Sequence, residues 1–145
     1  MKYLIGLLIL LSGKVYADAT NTGAIVSFSQ LSNYESGVVK KGLSIRGFLF
    51  FDEGKFLFCS TMESCFSRGK ERVIIKASNE MTDYLMEVSD CHMELLGEYH
   101  ALDDDQSNWP ILGYLYVNQK PEFDFSSKYR LINKDCKVFR FMIGD

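Results

Sequence analysis

The chain contains no G-x-S-x-G, no H-E-x-x-H and no C-x-x-C. Without the first two, neither the nucleophile elbow of serine hydrolases nor the two-histidine zinc helix can be built. Without the third, the common structural zinc frame lacks its ligand spacing. Long blocks of like charge are missing too, and 16 basic residues are outnumbered by 19 acidic ones, for a net charge of −3. Binding to nucleic acid is driven largely by Lys and Arg contacts to phosphate, so a nucleic-acid partner is not expected. No apolar stretch reaches the roughly 20 residues that a bilayer span requires, which argues against stable membrane insertion. There is no internal repeat or low-complexity tract, and Trp109 is the single tryptophan.

What the N-terminus does carry is Lys2, an apolar run from Leu4 to Leu11, and Val15-Tyr16-Ala17 as a small-x-small cleavage site. That combination predicts a signal peptide over residues 1–17, with a second permissible cut after Ala19. A lipoprotein would need cysteine where Lys14 stands, so lipid anchoring is not expected. Cleavage after Ala17 would leave 128 residues, the length of one compact domain. It would also remove two of the basic residues and no acidic one, moving the net charge from −3 to −5.

All four cysteines, Cys59, Cys65, Cys91 and Cys136, follow this leader. Export would place them in an oxidising compartment, where disulfides form and persist. Three connectivities are possible. The expected one pairs Cys59 with Cys65 in a small loop and Cys91 with Cys136 across a long one. In the loop-entropy view the long bridge is the more stabilising, contributing about 3 to 5 kcal/mol.

The clearest local signal is Leu43–Ser60, LSIRGFLFFDEGKFLFCS. β-Branched and aromatic residues flank Asp52-Glu53-Gly54-Lys55, which reads as a hairpin with a tight turn. Before it, Ile25, Phe28 and Leu31 recur at threes and Tyr34 follows, predicting a short helix or turn within Ala24–Tyr34. The first strand is expected from about Val38 to Phe51, bent at Gly47, because glycine inside a strand marks a bulge or sharp bend. After the second strand, Lys55–Ser60, the segment Thr61–Lys70 shows no period and reads as a loop. Arg72–Ala77 is an apolar strand. Ser78 or Asn79 then caps an amphipathic helix with Met81, Tyr84, Leu85 and Val88 on one face. Cys91–Ala101 alternates Met93, Leu95, Gly97 and Tyr99 with His92, Glu94, Leu96, Glu98 and His100, so one face lies inside and the other is wet. Ile111–Asn118 is the fifth strand. Tyr129–Ile132 and Cys136–Ile143 predict a C-terminal hairpin.

Five strands with a helix between the third and fourth is the element order of an OB-fold, a five-stranded Greek-key barrel, and a mainly β fold of this kind is expected. The pattern Ser27-Phe28-Ser29-Gln30-Leu31, Tyr34, Gly37, Val39 and Ser44-Ile45-Arg46-Gly47-Phe48-Leu49 resembles the opening of small exported bacterial OB-like domains of uncharacterised role. That resemblance implies a fold and an exported setting, and no activity.

Candidate chemistry is sparse. His92-x-Glu94 has the form of the zinc deaminase H-x-E, but the companion P-C-x-x-C is absent. His92, Glu94, Glu98 and His100 share a strand face and could form a metal site, although a solvent-facing polar row accounts for them more simply. Asp103, Asp104 and Asp105 lack the glycine and glutamate of a calcium loop. Arg46 is the only arginine placed to start a nuclease-like cluster. Trp109 near a barrel rim, with Tyr99 and Tyr114, could stack on a sugar or anchor a protein. Phe48 and Phe50 belong to a hairpin with more aromatics than one face can bury, and the remainder would form an interaction patch.

These residues point to a non-catalytic periplasmic or secreted binding protein that takes a protein partner, in the manner of an inhibitor or immunity factor, without cofactor or metal. A carbohydrate-binding module is the alternative. A metal-dependent hydrolase is the third and weakest reading.

Overall fold

The computed structural model describes residues 24–67, 70–102, 110–123, 133 and 136–138. The strands are β1 (Ile25–Val26), β2 (Val39–Asp52), β3 (Lys55–Cys59), β4 (Arg72–Ala77), β5 (His92–Ala101) and β6 (Gly113–Val117). The helices are α1 (Phe28–Leu31), α2 (Met62–Phe66) and α3 (Asn79–Glu87).

The hairpin forms around Glu53 and Gly54, whose φ values of 46° and 78° are those of a two-residue turn matching the twist of the flanking strands. It sets Asp52 opposite Lys55 and Phe48 opposite Cys59. The long β2 then serves two neighbours. Its C-terminal part pairs with β3, and the stretch from Val39 to Phe48 pairs antiparallel with β5. The handover falls at Gly47. A methyl group there would lie 2.4 Å from the Cys59 carbonyl oxygen and 3.1 Å from the Phe28 ring. Only glycine lets β2 turn this tightly over β3.

β3 pairs antiparallel with β4, β4 pairs parallel with β6, and β6 pairs antiparallel with β5, which returns to β2. The ring β2–β3–β4–β6–β5 is therefore closed, and with α3 between β4 and β5 it has the topology of an OB-fold-like barrel. β1 is an additional short strand lying parallel to β2 at Ser44 and Ile45.

The barrel is filled from within. Leu43, Ile45 and Leu49 of β2, Phe56 and Phe58 of β3, Val73 and Ile75 of β4, Met93, Leu95 and Tyr99 of β5, and Leu115 and Val117 of β6 form one buried cluster. α1 adds Phe28 and Leu31, and α3 adds Leu85 with Val88 at its end. Ser78 caps α3, its hydroxyl accepting from the Met81 amide at 3.3 Å. Both expected disulfides are present, Cys59–Cys65 and Cys91–Cys136.

The short helix expected within 24–34 is α1, which β1 precedes. One expectation needs correction. Thr61–Lys70 contains α2, which is too short to show a period and is fixed by Thr61 and Ser64 in a reciprocal cap. The C-terminal hairpin falls almost wholly outside the described residues, and of its second flank Lys137 and Val138 are helical. No described helix is long and apolar enough to cross a membrane.

Candidate functional site

The barrel interior is filled, so the surface open to any other molecule is that of the outward-pointing side chains. Strand alternation places Phe48 and Phe50 of β2 on that outer face, together with Leu57 and Cys59 of β3 and Ile74 of β4. The register aligns them, since Phe50 is opposite Leu57, Leu57 opposite Ile74, and Ile74 opposite Tyr114. An apolar row thus crosses four strands on the outside of a filled barrel. Leu57, Cys59 and Cys65 form a second buried cluster, separate from the core, against which Phe50 and Ile74 pack.

α2 roofs one end of this row, held down by the Cys59–Cys65 bridge. Its last residue, Phe66, is 66% exposed and meets the Phe50 ring edge-on at 4.7 Å between centroids. Arg72, almost wholly buried, holds the roof from below. Its Nε donates to the Pro110 carbonyl at 3.0 Å and its guanidinium reaches the Cys65 carbonyl at 3.5 Å. The sheet edge is further tied by Ser60, whose hydroxyl donates to Glu71 at 2.5 Å.

Farther round the barrel the outer face becomes polar. Across β2, β5 and β6 lies an open groove of about 1440 Å³, lined among others by Arg46, Glu94, Leu96, Glu98, His100 and Tyr116. Glu94 accepts from the Ser44 hydroxyl with one oxygen and from Arg46 Nε at 2.7 Å with the other. Partial burial pushes its carboxyl up, but the two hydrogen bonds and the guanidinium charge outweigh this and hold it below the ordinary carboxylate range. Glu98 bonds His100 Nε2 at 2.7 Å and has Lys41 Nζ at 3.8 Å. The His100 ring lies 4.6 Å from that of Tyr116, which is 46% exposed.

The residues expected from sequence are distributed differently. Phe48 and Phe50 do face outward; Phe48 meets the His92 ring at 5.1 Å. Tyr114 also faces outward, with Lys76 Nζ 5.0 Å from its ring centre. Tyr99 requires a correction. It is completely buried, its hydroxyl donating to the Leu112 carbonyl at 2.6 Å, so its ring is unavailable for stacking on a ligand. Burial, reinforced by Tyr34, pushes the Tyr99 phenol up to about 12. Trp109 and the acidic loop Asp103–Asn108 lie outside the described residues. Among the described residues no three His, Cys, Asp or Glu side chains converge as a metal ion would need.

Sequence reasoning missed Phe66 and Tyr116. Phe66 gave no periodic signal in so short a helix. Tyr116 could have been found, because Tyr114 and Tyr116 alternate with the inward Leu115 and Val117. No protein-family model, curated protein or solved structure matches this chain.

Proposed function

We propose that this protein is an exported, non-catalytic binding module that recognises a protein partner through the outer face of its barrel, as an inhibitor or immunity-type factor would. In this reading residues 1–17 are removed on export, the two disulfides form in the periplasm or outside the cell, and no cofactor takes part.

One observation carries the reading: a second apolar cluster lies outside a barrel whose interior is already filled, and it ends in an exposed phenylalanine. The fold gains little from keeping Phe66 in water. A partner that covers Phe66 and Phe50 would gain two aromatic anchors held in place by the Cys59–Cys65 bridge and Arg72, so few rotamers remain to be frozen on binding.

The test compares the tagged chain with its Phe66→Asp variant, each exposed to envelope extract of its own host, with retained proteins identified by mass spectrometry. A protein held in near-equal amount by the parent and lost from the variant is the expected result. Removing a central aromatic anchor costs about 2 kcal/mol or more, roughly thirtyfold in affinity. A partner held equally by both proteins would move the site off this face, and an empty column for the parent would count against a resident protein partner.

A further inference from the structure

We propose that the polar groove across β2, β5 and β6 is a second binding site, and that its ligand is a neutral oligosaccharide. The groove lies apart from the Phe50–Phe66 patch on the barrel surface, so this site does not depend on the protein-binding reading.

Three observations select the ligand class. The first is backbone pairing. β5 is bonded to β2 on one side and to β6 on the other, and Glu94 exchanges backbone hydrogen bonds with Glu122 at 2.8 and 3.0 Å. The floor formed by β2, β5 and β6 is therefore a sheet face whose strands are paired on both sides. The open strand edge at its rim is that of β1, and with two residues it offers little to an extended peptide, which gains its affinity by adding a strand to such an edge. Recognition must come from side chains.

The second is the character of those side chains. Tyr116 offers an exposed ring and Leu96 an adjoining apolar surface, the pairing that suits the C–H face of a pyranose. Around them stand planar polar groups already oriented by one another: Glu94 by Ser44 and Arg46, and Glu98 by His100. Fixed donors and acceptors beside an aromatic platform match sugar hydroxyls at small entropic cost.

The third is charge and size. Lys41, Arg46, Lys76 and Lys120 face Glu94, Glu98 and Glu122 around the groove, so the lining is nearly balanced. Arg46 is committed to Glu94, and Lys76 and Lys120 lie over the rings of Tyr114 and Tyr84 at 5.0 and 4.8 Å. Such a lining exerts no strong pull on a polyanion. At about 1440 Å³ the groove exceeds the roughly 300–1,000 Å³ of small-molecule sites, which favours several sugar units over one.

The test titrates the disulfide-bonded chain by calorimetry with maltotetraose, cellotetraose and chitotetraose. A heparin tetrasaccharide serves as the acidic comparison and an uncharged tetrapeptide as the peptide comparison. Saturable binding of at least one neutral sugar is expected, weakened about tenfold by Tyr116→Ala and also weakened by Glu98→Gln, but retained by Tyr116→Phe. Phe66→Asp should leave it unchanged, which separates this site from the proposed protein-binding face. Tyr116 is half-exposed, and an unaltered thermal melt of Tyr116→Ala would exclude misfolding; if that variant fails to fold, Glu98→Gln carries the comparison. Failure of all three neutral sugars to bind, preference for the heparin fragment or the peptide, or sugar binding insensitive to Tyr116→Ala would overturn the assignment.

Discussion

Replacing both Cys91 and Cys136 by alanine should destabilise the protein more than replacing both Cys59 and Cys65. In the chain-entropy account a bridge stabilises by restricting the unfolded state, and the effect grows with the logarithm of the loop it closes. The bridges join residues 45 and 6 apart in sequence. Those lengths correspond to about 4 and about 2 kcal/mol. All four cysteines are 5% exposed or less, so the loss of packed sulfur is similar in the two variants and largely cancels in their difference. What remains is about 2 kcal/mol in favour of the long bridge. Guanidinium titration of the three proteins would read this as a larger fall in the midpoint for the Cys91/Cys136 variant, and melting temperatures should differ by about 5–10 °C. Single Cys91→Ser and Cys136→Ser variants should lose equal amounts, because each breaks the same bond. Equal losses from the two double variants, or a larger loss from the short loop, would refute loop entropy as the main contribution of the long bridge.

Gly47→Val should destabilise by about 1–3 kcal/mol or more, since its side chain would press on the Cys59 backbone where β2 bends, and an unchanged thermal melt would remove that constraint. Tyr99→Phe should cost about 1 kcal/mol at neutral pH through the lost bond to Leu112. The Tyr99 phenol titrates higher in the folded protein than in the unfolded chain, so its contribution is full below pH 10 and declines between pH 10 and about 12. Stability of the parent should therefore fall more steeply than that of Tyr99→Phe over this range; parallel curves would refute the assignment. Glu94 is shifted the other way. Its contribution is present above the ordinary value of 4.5 and is lost as pH falls through its lower folded value, so the stability gap between parent and Glu94→Gln should narrow on acidification. A gap independent of pH would mean that Ser44 and Arg46 do not stabilise the carboxylate.

Local patterning made much of the architecture legible. The turn at Glu53-Gly54, the bend at Gly47, the alternation along β5 and the helical period of Met81, Tyr84, Leu85 and Val88 each depend on neighbours close in the chain. A residue's immediate surroundings are enough to express them. The order of these elements then sufficed for the barrel, because few topologies connect five strands and one helix in that sequence. The pairing expected from the positions of the four cysteines along the chain is the one observed.

The binding surfaces were less accessible. Alternation groups Tyr99 with the apolar Met93 and Leu95 on the inner face of β5, but it does not say how far the barrel closes over a tyrosine near the strand end. Tyr99 is buried and Tyr114 is not, and that difference follows from how β5 and β6 curve round the core. α2 is a five-residue helix that depends on the reciprocal cap of Thr61 and Ser64 and on a disulfide, neither of which leaves a periodic trace. The Ser44–Glu94–Arg46 cluster joins side chains about fifty positions apart that meet only because β2 pairs with β5 in one register. Short-range chemistry, written in adjacent residues, determines the strands, the turns and the helix. The outward apolar row and the polar groove exist only once the ring of strands has closed, because strand pairing between distant segments decides which side chains share a surface.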